Sequence, residues 1–375
     1  MNFDFSEDQK LLQSEAQKFL QQQCSNDLVR SVMEDGERFY AADLWQKMIE
    51  LEWPGLAIPE QYGGHGLGYL ELCVLAQALG GSLAPVPFSS TVYLLGEALK
   101  MAGSKQQQQE HLSDIAAGKL IGCVAVTERL GGSIHNLPDS RVINGKLSGQ
   151  KAIVTDAMCA DLALVSARNA NNAYSLYLLP LDQPTVTRTP VNTLDPSRPA
   201  ARLQFDGAEV EPLGAGGKGQ QILEEVYDRA AVLFAFEQVG GCQAALQMGM
   251  AYSRERFAFG RPVASFQAIK HKFADMYVAQ EIALANAYYA AWALASDAPE
   301  LPLAAATARV SAIDAYFLCS KENLQAHGGM GYTWEFDCHL HYRRAQHLSV
   351  HLGGAPTWKN QVATELLATK TAKEA

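Results

Sequence analysis

No CxxC pair occurs in this chain of 375 residues. Its seven cysteines (positions 24, 73, 123, 159, 242, 319 and 338) are scattered and odd in number. That excludes the usual zinc-ribbon and thioredoxin signatures and reads as buried thiols in a reducing compartment. Positive charge is also short: 30 Lys and Arg against 40 Asp and Glu leave a net charge of −10. Nucleic acid, which is gripped through basic patches, is therefore not an expected partner. No apolar run reaches the ~20 residues a membrane helix needs. The start, MNFDFSEDQK, lacks the basic opening and apolar core of an export signal, so the expected location is cytoplasmic.

What is present is globular composition, 48% hydrophobic and 19% charged, in a chain too long for one ordinary core. Residues 1–118 read as a helical domain, with Leu11, Leu12, Ala16 and Leu20 at helical spacing and a second helical pattern in DLWQKMIELEW. Residues 119–218 change texture. Short β-branched runs such as LIGCVAVTE and YSLYLLPL alternate with turn residues, and Asn144-Gly145 is a two-residue hairpin signal. Residues 219–375 return to long helices, with Leu223, Val226, Ala230, Leu233 and Phe234 on one stripe. The expected fold is multidomain α+β: an N-terminal helical domain, a central β-barrel or sandwich, and a C-terminal antiparallel helical bundle.

Several signals look chemical. Gly214, Gly216 and Gly219 fit GxGxxG, but no βαβ unit surrounds them, so a connector is the better reading. Five of nine histidines fall between 327 and 351, and His347 and His351 share a helix face at i, i+4. No matching third ligand follows, so they read as solvated or interface groups and no metal is expected. HGGMGYTWE holds three glycines in four residues, a cost that makes sense where backbone must approach a ligand. RERFAFGRP gathers Arg254, Arg256 and Arg261 at a helix end, where guanidinium groups suit a pyrophosphate. VTERLGGS places Thr127 and Ser133 around a glycine pair.

Taken together, AVTERLGGS, YSRERFAFGRPVASFQAIKHKFADM and LQAHGGMGYTWEF resemble the acyl-CoA dehydrogenase family over essentially the whole chain, with GQKAIVTDAMCADLALV a looser match. The resemblance implies FAD, held between the β domain of one subunit and the bundle of its neighbour. It implies flavin contacts from Val126, Thr127, Ser133 and Thr155. Arg256, Phe259, Gln267, Gln325, Gly328 and Gly329 would hold the pyrophosphate and adenosine part. It further implies an acyl-CoA substrate met by Ser133 and Asp228, an electron-transferring flavoprotein as acceptor, and a homo- or hetero-oligomer, dimer or tetramer.

The family's reaction needs a carboxylate to take the α proton. Where most members carry that Glu, this chain has Leu352; where a subgroup carries it, this chain has Ala230. Asp228 is a weak catalytic candidate, since at ~100° per residue it points about 200° around the helix from 230. Glu237 shares the face of 230 but lies ~10 Å further along the axis. Ile153 stands where many members place a Trp. The expected function is FAD-dependent dehydrogenation of an acyl-CoA with the base elsewhere; the alternatives are the FAD-binding partner subunit of a mixed oligomer acting on bulky or steroid-type acyl-CoA, and a binding scaffold without turnover.

Overall fold

Helix α1 (Glu7–Gln23) is opened by Ser6, whose hydroxyl accepts from the Gln9 amide while the Gln9 side chain accepts from Ser6 N. This reciprocal cap satisfies donors that a helix start leaves bare. The structure is a computed structural model and describes residues 5–374, with side chains through 368. After α1 come α2 (Asn26–Glu34), α3 (Ala42–Glu50) and α4 (Tyr69–Gly81). A run of short helical pieces then spans Ser89 to Ala116, including α5 (Glu97–Ala102), α6 (Lys105–Gln107) and α7 (Ser113–Ala116).

Eight strands follow: β1 (Gly122–Ala125), β2 (Arg141–Ile143), β3 (Lys146–Thr155), β4 (Leu162–Arg168), β5 (Tyr174–Pro180), β6 (Val186–Val191), β7 (Ala200–Glu209) and β8 (Glu211–Leu213). They form one mixed sheet in the order β6-β7-β3-β2-β4-β5-β8, with β1 on β4. Asn144 and Gly145 turn β2 into β3 with φ of 52° and 75°, as a primed two-residue turn requires. Within this sheet β1 runs parallel to β4. No tight turn links those two, so nothing local constrains their relative direction.

Helices return as α8 (Gly219–Glu255), α9 (Gln267–Ala295), α10 (Leu301–His327), α11 (Cys338–Val350) and α12 (Ala355–Glu374). Between α8 and α9 sits a small hairpin, β9 (Phe257–Ala258) with β10 (Arg261–Pro262). Along the chain, helical N- and C-terminal regions with a mixed sheet between them are as the sequence led one to expect. Among the described residues no helix is long and apolar enough to cross a membrane.

The chain divides into two compact units. One comprises residues up to 27, 69–84 and those from 231 onward; the other comprises 28–68 and 85–230. In the first, α10 packs on α9, α11 and α12, and α4 lies against α1 and α9. The approach of α4 to α8 is close: a Cβ at Gly80 would fall 1.8 Å from Glu237 O, and one at Gly240 would fall 1.9 Å from Gln77 O. In the second, the Ser89–Gly96 segment covers β1, and the apolar stripe Leu223, Val226 and Ala230 of α8 is fully buried. The end of β3 is pinned by a buried ion pair. Arg198 Nη2 lies 2.6 Å from Asp156 Oδ2 and also donates to Ser89 Oγ, while Ser90 Oγ donates to Asp156.

Arg198→Met leaves the Asp156 carboxylate buried without its cation, which should cost ~3–5 kcal/mol. Urea unfolding is expected to show the loss as a fall in midpoint, against a near-unchanged Arg202→Met control, since Arg202 is exposed on β7.

Candidate functional site

The first half of the candidate site forms around the exit of β1. Val126 is buried immediately after the strand, and Thr127 follows, half-buried. Ala152 N donates to Thr127 O at 2.9 Å, which lays this exit beside the second half of β3, where Ile153 is 38% exposed and Thr155 half-buried. A Cβ on Gly132 would sit 3.3 Å from Thr127 Cβ, so the glycine pair brings Ser133 back toward the threonine. The exit of β1 at Val126 and Thr127 thus runs beside β3, the strand that ends at Thr155. Ser133 Oγ accepts from His135 N, and His135 Nδ1 lies 3.1 Å from Glu224 of α8, which tethers the loop.

A buried lysine sets this arrangement, one that residue pattern alone does not reveal. Lys151 points inward from β3 and is fully buried; its ammonium donates to Val126 O (3.0 Å), Glu128 Oε1 (2.9 Å) and Ser166 Oγ (3.1 Å). Glu128 in turn accepts from the Ser140 amide at 2.8 Å. Burial draws the Lys151 ammonium down to about 8 despite the raising effect of Glu128. Burial pushes the Glu128 carboxyl up, but Lys151 and Ser140 outweigh it and hold the acid below its ordinary value. A charged residue within a strand normally reads as outward-facing, which is why pattern alone misses it.

The second half lies on the helical bundle. The stretch expected at a helix end does close α8, with Arg254 in its last turn, and it continues as the β9–β10 hairpin, which Phe259 and Gly260 turn with φ of 52° and 76°. Phe259 is 95% exposed, and the Arg261 guanidinium stacks 4.0 Å over Phe266. Arg256 is exposed at the foot of the hairpin, and Gln267 is exposed at the first turn of α9. Gln325 is exposed two residues before the end of α10.

The glycines beyond α10 divide by role. Gly328 takes φ of 62°, and neither it nor Gly329 has any atom within 4 Å of a would-be Cβ. Gly331 is different: its Cβ would meet Leu324 O at 2.3 Å, so it serves packing. The three glycines therefore do not share the single ligand-approach role read from sequence.

The histidines need correcting as well. His327 and His341 are buried, not solvated. His327 stacks on Tyr252 at 4.1 Å and sits 2.8 Å from Asn323 O, while His341 faces Tyr316 Oη at 3.1 Å. Burial takes the His341 imidazole down to about 4. Aromatic partners and single hydrogen bonds let these rings serve as core residues. Among the described residues no group of three His, Cys, Asp or Glu side chains could hold a metal ion.

Both expected positions of the proton-abstracting carboxylate are apolar and buried, Ala230 at 0% and Leu352 at 8% exposure. Leu352 adopts φ of 61° in the turn after α11, and Arg309 holds that turn by donating to Leu348 O and, at 2.9 Å, to His351 O. Glu237 is buried too, with Arg344 Nη1 3.9 Å away, so it is committed inside the bundle. Asp228 is half-buried on α8, two residues from Ala230.

With this geometry in place, the relatives of the chain are informative. The family profile for the acyl-CoA dehydrogenase N-terminal domain matches residues 6–119, and that for the C-terminal domain matches residues 217–367. The chain is 33% identical over 351 residues to acyl-CoA dehydrogenase IpdE2 of Mycobacterium tuberculosis, covering 93% of this chain and 94% of that protein. It superposes on the ChsE4-ChsE5 complex from Mycobacterium tuberculosis with a TM-score of 0.89 at 27% identity, covering 98% of this chain and 99% of that one. It superposes on the Tcur3481-Tcur3483 steroid ACAD G363A variant with a TM-score of 0.87 at 28% identity, covering 98% and 99%. The fold and its sequence motifs define an acyl-CoA dehydrogenase-type protein. This chain belongs to the acyl-CoA dehydrogenase family.

Two outcomes follow from the glycine and lysine geometry. Gly331→Ala is expected to cost ~1–3 kcal/mol through overpacking, whereas Gly329→Ala should be close to neutral; thermal unfolding of the two variants checks the contrast. For Lys151 the buried ammonium is the disfavoured form. Between pH 8 and its ordinary value of 10.5 the folded chain has shed the proton that the unfolded chain keeps, so this group adds stability as pH rises. Urea midpoints measured across that range should show the increment in the wild type relative to Lys151→Met.

Proposed function

We propose that this chain serves the FAD-dependent α,β-dehydrogenation of an acyl-CoA thioester as one subunit of a mixed oligomer, with the carboxylate base supplied by a homologous partner chain. One observation carries the division of labour: apolar side chains are buried at 230 and 352, while the acid that shares the face of 230, Glu237, is buried beside Arg344. Two structural neighbours, the ChsE4-ChsE5 complex and the Tcur3481-Tcur3483 steroid ACAD, each pair two differently named chains and support the same reading. The second of them, a steroid ACAD, supports a bulky, steroid-type acyl group.

The residues fit a dinucleotide. The bundle offers an exposed guanidinium at Arg256, exposed amides at Gln267 and Gln325, and bare backbone at Gly328 and Gly329. Phe259, exposed on its turn, would cover the adenosine part in a neighbouring chain. On the sheet, Val126, Thr127, Ser133 and Thr155 would line the flavin ring, with the Val126 carbonyl held by Lys151. Bound FAD supplies the hydride acceptor for the β carbon. Ser133 and Asp228 are assigned to the acyl-CoA, and an electron-transferring flavoprotein is the expected electron acceptor. So many donors held for a cofactor speak against a scaffold without turnover. The competing reading is a lone-chain dehydrogenase with its base at an unassigned position.

Purified chain should take up FAD and turn yellow, alone or with its partner. With an artificial electron acceptor the lone chain is expected to be inactive on short, branched and polycyclic acyl-CoAs. Co-expression with a homologous chain carrying Glu at either position should bring turnover. Activity of the lone chain would exclude the mixed-oligomer reading, and failure of both preparations to take up FAD would remove the flavoenzyme reading altogether.

A further inference from the structure

Two cysteines meet inside the helical bundle. Cys242 on α8 and Cys319 on α10 are both buried, and their sulfur atoms lie 3.0 Å apart. Each is held in place by its helix and its surroundings: Cys242 Sγ faces Ala315 O at 3.6 Å, and Cys319 Sγ faces Met276 O of α9 at 3.5 Å. The sulfurs therefore meet where three helices come together. Other thiols are directed elsewhere: Cys24 Sγ points to Ser82 O, Cys159 Sγ to Asp156 O and Cys338 Sγ to Gly331 O.

We propose that Cys242 and Cys319 form a reversible dithiol–disulfide site, oxidised by a hydroperoxide, that covalently ties α8 to α10. The sulfurs need only ~1 Å of further approach to reach bonding distance. In the first step one thiolate attacks the hydroperoxide, breaks its O–O bond and becomes a sulfenic acid, releasing an alcohol, or water from hydrogen peroxide. In the second step the other sulfur displaces the sulfenic oxygen as water and the S–S bond forms. Two thiols lose two protons and two electrons in all, and the peroxide is reduced.

Burial sets the speed and the specificity. Hydrogen bonding to Cys319, burial and the neighbouring sulfur all hold the Cys242 thiol well above its ordinary value. Attack is therefore slow in the closed bundle and proceeds through transient opening, but the partner sulfur is already in place to trap the sulfenic acid. The bond would also brace the helix that carries Gln325, six residues beyond Cys319 and ~9 Å along α10. The proposal does not depend on the flavin assignment.

Trypsin isolates the two residues cleanly, since cleavage after Arg229, Arg254, Arg309 and Lys321 yields peptides 230–254 and 310–321, each with a single cysteine. Intact chain is treated with hydrogen peroxide, blocked with an alkylating reagent in denaturant and digested without reductant. The expected result is a protein about 2 Da lighter whose two peptides run as one cross-linked species and separate on addition of dithiothreitol. Cys242→Ser and Cys319→Ser should each abolish the cross-linked species. Recovery of both peptides fully alkylated, stable over-oxidation of either cysteine in place of the cross-link, or a cross-link between another pair would each overturn the proposal. The wild-type digest alone decides the outcome, even if a serine variant fails to fold.

Discussion

The buried guanidinium of Arg309 organises the part of the bundle on which the functional argument turns. It is fully buried, donates to Gln238 Oε1 on α8, and closes on the carbonyls of Leu348 and His351 at the end of α11. One side chain thus fixes where α11 stops and where Leu352 begins its left-handed turn. Nearby, Arg344 reaches Leu83 O and lies beside Glu237. Replacing any member of such a buried charged set exposes the others to uncompensated desolvation. The turn where the family resemblance led one to expect a base is held by Arg309 here, and it carries a leucine.

That combination separates structure from chemistry in an informative way. Positions suited to a cofactor are exposed and donor-rich: Arg256, Gln267, Gln325 and the open glycines 328 and 329. Positions suited to proton abstraction are buried and apolar. A chain that had simply lost function would have no reason to keep the first set while filling the second so completely. The division of labour proposed above, between two related chains, would account for both.

Much of the fold was legible because local chemistry dictated it. Asn144-Gly145 demanded a primed turn, and the stripe Leu223, Val226 and Ala230 demanded a buried helix face. The parallel pairing of β1 with β4 was not legible, since it rests on contacts between residues such as Gly122 and Leu162 that no local signal links. In the candidate site, residue types revealed the exposed groups well. They misled wherever a polar residue was buried: Lys151 inside the sheet, and His327 and His341 among aromatic neighbours. Glycine was ambiguous for the same reason. Gly329 and Gly331 look alike as letters, yet one borders open space and the other abuts a carbonyl.

The crossing of α4 and α8 limits how this protein can change over time. Gly80 and Gly240 each press bare backbone against the opposite helix, and no side chain fits at either place without the two axes moving apart. A gain of even one methyl group on one helix cannot be offset by trimming its neighbour, because the neighbour has nothing left to trim. Descendants of this sequence can explore new surfaces, loops and ligands freely, but at that crossing their ancestry is locked.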